Sequence, residues 1–309
     1  MVQFRENEKQ AIVDMLKNQQ QTMGNLTNAR FAARIGVSPT VITYIYNGDF
    51  AKLSEAMWLK MAQYVRYSRN SDKVWHHADT KVSRYLFTQF EVCQRMGLTA
   101  MLADEPGIGK THCMIEYART HADVMCVDCS VSNTRGAFIR AIAQAAGCSQ
   151  KGRLQDVLDG AIYAIGLMDR PLIILDESGD LEPSAMLQLK KLYNALEMRC
   201  GFYMMGSDGF RRKLKRGVEF DKLGFTEIFS RFDKDFKHAL SDNANDRLQE
   251  FKEMAAAICR ANGVEQEADI RRILADTFDG KRGIGDLRRV KREIFKLRLR
   301  DNGDTNDNL

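Results

Sequence analysis

Residues Leu98-Thr-Ala-Met-Leu-Ala-Asp-Glu-Pro-Gly-Ile-Gly-Lys-Thr111 join an apolar run to a glycine turn that closes on Gly-Lys-Thr before an amphipathic segment. Strand, glycine turn and helix in that order read as a phosphate-binding P-loop. Pro106, Gly107, Ile108, Gly109, Lys110, Thr111 and His112 form the candidate cradle, because loop and helix-start N–H groups can surround an anion. Lys110 would pair with the β and γ oxygens, and the Thr111 hydroxyl would ligate Mg²⁺. A nucleoside triphosphate is the implied ligand. The full pattern has glycine six residues before the lysine, where this chain has Asp104. A carboxylate there would repel phosphates unless it is turned away or paired.

Leu172-Ile-Ile-Leu-Asp-Glu177 supports the same reading. Four apolar residues ending in two carboxylates are the pattern of a buried parallel strand with an acidic end. Asp176 would hold the Mg²⁺ shell. Glu177 could orient and polarise an attacking water, a group that a protein binding nucleotide without hydrolysing it does not need.

The remaining composition narrows the class. The 309 residues suit about two domains with an appendage, and 44% hydrophobic content suits a packed fold. No apolar run approaches the ~20 residues of a membrane span, and no charged-then-apolar leader opens the chain, so a cytosolic protein without membrane association is expected. The odd number of cysteines, seven, reads as reduced thiols. Cys126 and Cys129 form the one Cys-x-x-Cys, but a strand would put them on opposite faces with no second pair to complete a zinc site. His76 and His77 fall in a polar stretch where solvated side chains are expected. Net charge is only +5, with cations concentrated in Arg211-Arg-Lys-Leu-Lys-Arg216 and in 281–300. Either run could be a solvated helix face.

Along the chain, residues 1–67 read as a helical domain centred on Thr27 to Gly48. Ala32 allows close crossing, Gly36 a tight turn, and Val37, Ile42 and Ile45 apolar contacts, a helix-turn-helix pattern. Ser38 would cap and Pro39 start the second helix. Thr40, Thr43, Tyr44 and Asn47 would face a DNA groove. Residues 68–80 read as a linker. Over 81–240, helices alternate with strands at 98–103, 124–129, 172–176 and 201–206, implying an α/β domain with a parallel sheet between helices. Ligands then collect at the carboxyl ends of its strands. Residues 241–300 read as a small helical lid and 301–309 as a frayed tail.

Together these features resemble the AAA+ ATPases over about 81–300. The resemblance implies ATP as ligand, Ser207 after the strand Gly201-Phe-Tyr-Met-Met-Gly206 as a water-positioning sensor, and Phe229-Ser-Arg-Phe232 as an arginine-finger segment. Arg231 would then reach a neighbouring subunit's γ-phosphate, and hydrolysis would require assembly. Gly285-Asp-Leu-Arg288 resembles the lid's second sensor, with Arg288 over the phosphates of its own subunit. A helix-turn-helix before a short AAA+ module is similar to the target-DNA activator B family of Mu-type transposing phages. That likeness implies an ATP-dependent helical filament on double-stranded DNA that recruits and stimulates a transposase and selects its target. Arg135, Lys151 and Arg153, in loops preceding helices, are the candidate backbone contacts, with Arg34 and Tyr44 as alternatives. A helicase loader and a nucleotide-gated transcriptional regulator share the motifs and remain the rival readings.

Overall fold

The computed structural model describes residues 3–24, 26–65, 67–68, 75–278 and 286–301. The chain divides into two compact units, the first formed by 1–69, 89–103 and 114–237, the second by 70–88, 104–113 and 238–309.

The first unit is built on four parallel strands, β1 (Thr99–Ala103), β2 (Val124–Asp128), β3 (Leu172–Asp176) and β4 (Gly201–Gly206), in the order β1-β4-β3-β2. A parallel bridge between Leu102 and Lys237 extends the sheet beyond β1. Strand residues are buried on both faces almost throughout, as the continuous apolar runs require of a sheet covered on two sides. Met101, Val127, Ile173, Leu175, Phe202 and Met204 face a core closed by Phe138, Leu158, Leu189 and Phe210. On the other face Tyr203 meets Phe90 edge-on at 4.8 Å.

The helices that close the core are α7 (Arg135–Ala145), α8 (Leu154–Gly166), α9 (Pro183–Leu196), α10 (Asp208–Glu219) and α11 (Phe225–Arg231). They follow α1 (Glu6–Thr22), α2 (Asn28–Ile35), α3 (Pro39–Tyr46), α4 (Glu55–Tyr64), α5 (Lys81–Met96) and α6 (Lys110–Thr120). Helices α1 to α4 enclose a separate core of Ile12, Leu16, Phe31, Ile42, Ile45 and Trp58. Gly36, at φ +81°, makes the turn between α2 and α3 that an L side chain would strain. Ser38 occupies the N-cap position of α3 but makes no side-chain capping bond, so Pro39 alone carries the start signal.

The second unit holds α12 (Ala244–Ala261), α13 (Glu267–Thr277) and α14 (Leu287–Asp301). Phe251, Met254, Ile258, Ile270, Ile273, Val290 and Ile294 are buried in it. Among the described residues no helix is long and apolar enough to cross a membrane. The proposed tail beyond 301, and Gly285 with it, lies outside the described residues.

Candidate functional site

The loop 104–109 and the first turn of α6 lie in the second unit. Gly107 and Gly109 take φ values of +80° and +98°, so the chain wraps into a concave turn closed to L side chains. At Gly109 nothing stands within 4 Å of where a Cβ would be, the open space a phosphate-cradling backbone needs. Lys110 is 7% exposed and its Nζ donates to the carbonyls of Asp104 (2.9 Å) and Glu105 (2.8 Å), drawing the loop around its own ammonium. This donor set fits a triphosphate.

Asp104 explains the departure from the pattern. Its Oδ1 accepts the N–H of Glu105 at 2.8 Å, and its Oδ2 accepts those of Ala239 (2.7 Å) and Leu240 (3.2 Å). The carboxylate is thus a tie between the loop and residues 239–240. Glu105 adds a 3.0 Å ion pair with Arg247 on α12. At the other side of the loop, the Leu287 N–H donates to the Gly107 carbonyl at 3.2 Å, and a Cβ at Gly107 would collide with the Asp286 carboxylate. Arg288 follows directly, its side chain exposed and its N–H capped by Asp286 Oδ1 at 2.8 Å. Arg289, by contrast, is spent on the carbonyls of Asp276 and Thr277.

His112 pairs with His77, Nε2 to Nδ1 at 3.1 Å, and His77 stacks on Phe87 at 5.5 Å. His77 is therefore a packed residue and not the solvated one its polar neighbours suggest.

In the first unit Asp176 ends β3 at 3% exposure, and its Oδ1 accepts the Glu177 N–H at 3.0 Å. Glu177 takes φ +48°, ψ +43° and opens a tight turn, Ser178–Asp180. A non-glycine residue in that region costs about 1–3 kcal/mol and persists where the surroundings impose it. Those surroundings include Ser178 Oγ on the Leu175 carbonyl (2.9 Å) and Lys213 Nζ on the carbonyls of Gly179 (2.6 Å) and Leu181 (2.9 Å). Ser207 sits past the end of β4 and its Oγ accepts the Gly209 N–H at 3.3 Å, capping α10. Its hydroxyl proton remains available to donate.

Arg231 is held elsewhere. Its Nε donates to Asn194 Oδ1 and its Nη1 to the Glu227 carbonyl, both at 3.0 Å, and its own carbonyl accepts the Thr99 hydroxyl at 2.6 Å. Thr99 begins β1, in register through Phe202 with Ile173, three residues before Asp176. At about 3.3 Å per residue that is roughly 10 Å along the strands, toward their amino ends. The fold does not bring Arg231 to the Asp176 of its own chain.

The candidate DNA contacts separate into two groups. Arg135, Lys151 and Arg153 are exposed. The segment after α7 runs back along that helix, with Arg140 donating to the Gln150 carbonyl, until Leu154 lies 3.7 Å from where a Gly136 Cβ would stand. Loops far apart in sequence thereby share one end of the α7–α8 pair. On α3, Thr40 and Thr43 are exposed, as is Asn47 at its C-cap, and Tyr44 carries Lys52 Nζ at 4.8 Å over its ring. Lys52 was not signalled by the helical pattern because it lies in the turn beyond it. Arg34 is no surface contact: it is 6% exposed, burial pushes its guanidinium pKa down, and Nε and Nη2 have no hydrogen-bond partner.

All seven cysteines are free thiols, and the described residues hold no cluster of metal-ligating side chains.

A family model described as an AAA domain matches residues 99–214, which span β1 through most of α10. Over 255 residues the chain is 23% identical to the Mu-like prophage FluMu DNA transposition protein B of Haemophilus influenzae, covering 81% of this chain and 84% of that protein. The chain has the AAA+ P-loop fold behind an all-helical N-terminal region, and it resembles Mu-like prophage transposition protein B.

Proposed function

We propose that this protein is an ATP-hydrolysing, DNA-binding AAA+ protein that assembles as a helical filament on double-stranded DNA, selects target DNA and recruits and stimulates a transposase. The observation that carries this reading is the extent of the similarity to a protein named for DNA transposition, four-fifths of either chain and not the nucleotide module alone. Residues 1–67 act in it as a DNA-contacting helical domain, 81–240 as the nucleotide-binding domain and 241–300 as the lid.

In this reading each residue takes a role. Lys110 and the N–H groups of 107–112 bind the phosphates. Thr111 and Asp176 are the residues for Mg²⁺, which when bound offsets phosphate charge. Glu177 orients and deprotonates the attacking water, and Ser207 donates to it. Arg288 meets phosphate charge from the lid. Arg231 serves a neighbouring subunit, a reading supported by its place toward the amino ends of the strands. Arg135, Lys151 and Arg153 bind the DNA backbone without reading sequence, so affinity should fall steeply with salt.

Electron microscopy of the purified protein with long duplex DNA tests the reading. Helical filaments with ATP or a non-hydrolysable analogue, and none with ADP, are expected. Isolated particles or closed rings on bare DNA would refute the filament and favour a helicase loader or a transcriptional regulator.

A further inference from the structure

The cation run 211–216 resolves into two kinds of residue. Phe210, Leu214 and Gly217 face inward, Gly217 because a Cβ there would strike the Phe225 ring, and this fixes the rotation of α10. Arg211 pairs with Asp208 at 2.8 Å, and Lys213 is committed to the turn after Glu177. Arg212, Lys215 and Arg216 point outward, and with Lys222 they line an open groove of about 800 Å³ in which Glu219 is the one carboxylate. Among the described residues none of these four cations has an ion pair.

A merely solvated helix face does not call for this arrangement. Like charges three and four residues apart cost a few tenths of a kcal/mol each, and the usual remedy, interspersed carboxylates, is limited within the groove to Glu219, Asp208 being paired with Arg211. The charges also follow the helix axis, since Arg212 and Arg216 are one turn and about 6 Å of rise apart. A duplex lying alongside would present about three phosphates over that length. Phe220 and Leu223, 68% and 72% exposed, extend the surface beyond the helix end.

We infer that the outer face of α10, with Lys222, is a second DNA-backbone surface, separate from the loops of Arg135, Lys151 and Arg153 and from α3. Its ligand is the phosphodiester backbone of duplex DNA, bound without sequence preference. The inference rests on the DNA-binding reading above and names a further place where that contact is made.

The test is Arg212→Gln/Lys215→Gln/Arg216→Gln in the full chain, leaving Lys213 in place, with binding to a fluorescent duplex in ATP titrated against NaCl. Loss of three phosphate contacts should lower the slope of log K against log salt by about 2.7 and weaken binding roughly 100-fold near 0.15 M salt. Arg95→Gln/Arg170→Gln/Arg199→Gln removes the same charge beside the amino ends of β1, β3 and β4 and should leave the slope unchanged. Thermal melting of both variants checks folding. An unchanged slope in the α10 variant, or an equal fall in both, would overturn the inference while leaving DNA binding by the native chain intact. A native slope combined with lost retention on polyglutamate would assign the groove to an acidic protein and overturn it too. Failure of the unmodified protein to bind duplex at all would remove the functional reading together with this one.

Discussion

Replacing Asp104 by alanine tests whether the aspartate in the nucleotide loop is a tie or a repulsive charge. In the structure its Oδ2 satisfies the N–H groups of Ala239 and Leu240, residues 4% and 6% exposed, across 135 and 136 positions of sequence. A hydrogen bond to a charged acceptor contributes about 1.5–3 kcal/mol, and a buried donor left without a partner costs about 1–3. Losing both bonds should therefore cost about 3 kcal/mol or more, which for a domain of 150–250 residues corresponds to roughly 6–12 °C in Tm. Asp104→Asn keeps one acceptor oxygen and should lose about half as much. Asp104→Gly, which restores the usual P-loop residue, should be destabilised at least as far as alanine. Calorimetric melting with and without ATP reads all three. If Asp104→Ala melts within a degree of the native protein and binds ATP more tightly, the carboxylate faces the phosphates in solution and the tie does not exist.

Glu177→Gln should retain ATP and DNA binding but lose turnover by two orders of magnitude or more, freezing the assembly, whereas Lys110→Ala should lose both ATP binding and stable DNA coating; intact turnover in Glu177→Gln would remove it as the base. Arg231→Ala should bind ATP normally yet fail to hydrolyse it. Mixing it with Lys110→Ala should restore some turnover only if Arg231 acts on a neighbour, and no restoration at any ratio counts against that role. Arg34→Met should leave Tm unchanged or raise it, by up to about 2 kcal/mol of stability, because the guanidinium is buried with two N–H positions unpartnered. A large fall in Tm would mean that Arg34 has a partner in solution. Lys213→Met should release the turn after Glu177 and abolish any stimulation of ATP turnover by DNA, and equal stimulation in both proteins would show that the bonds of Lys213 to Gly179 and Leu181 do not couple α10 to that turn.

The strands and most helices could be read from the sequence because burial on both faces leaves four- or five-residue apolar runs, as in Leu172 to Leu175. The glycines of the loop were legible for the same local reason, since their positive φ is a property of residue type. What escaped depends on partners distant in the chain. Asp104 looks like a defect until Ala239 and Leu240 arrive beside it. The bridge at Lys237 has no apolar run to announce it, because it makes only a single bridge to β1. Arg34 sits on a short helix where charge alone predicts exposure, yet Gln144 of α7 donates to its carbonyl at 3.1 Å and the side chain is enclosed. The left-handed Glu177 carries no signal in its residue type, because the conformation is imposed by the turn and not by the side chain.

Lys213 gives α10 a mechanical meaning. The ammonium grips two carbonyls of the turn that begins at Glu177, while Arg212, Lys215 and Arg216 of the same helix face solvent beside it. A load on those charges would bear through Lys213 on a turn whose first residue, Glu177, holds a left-handed backbone. The helix would thus work as a push-rod, carrying occupancy of its solvent-facing charges to the backbone of Glu177 without any ligand passing between them.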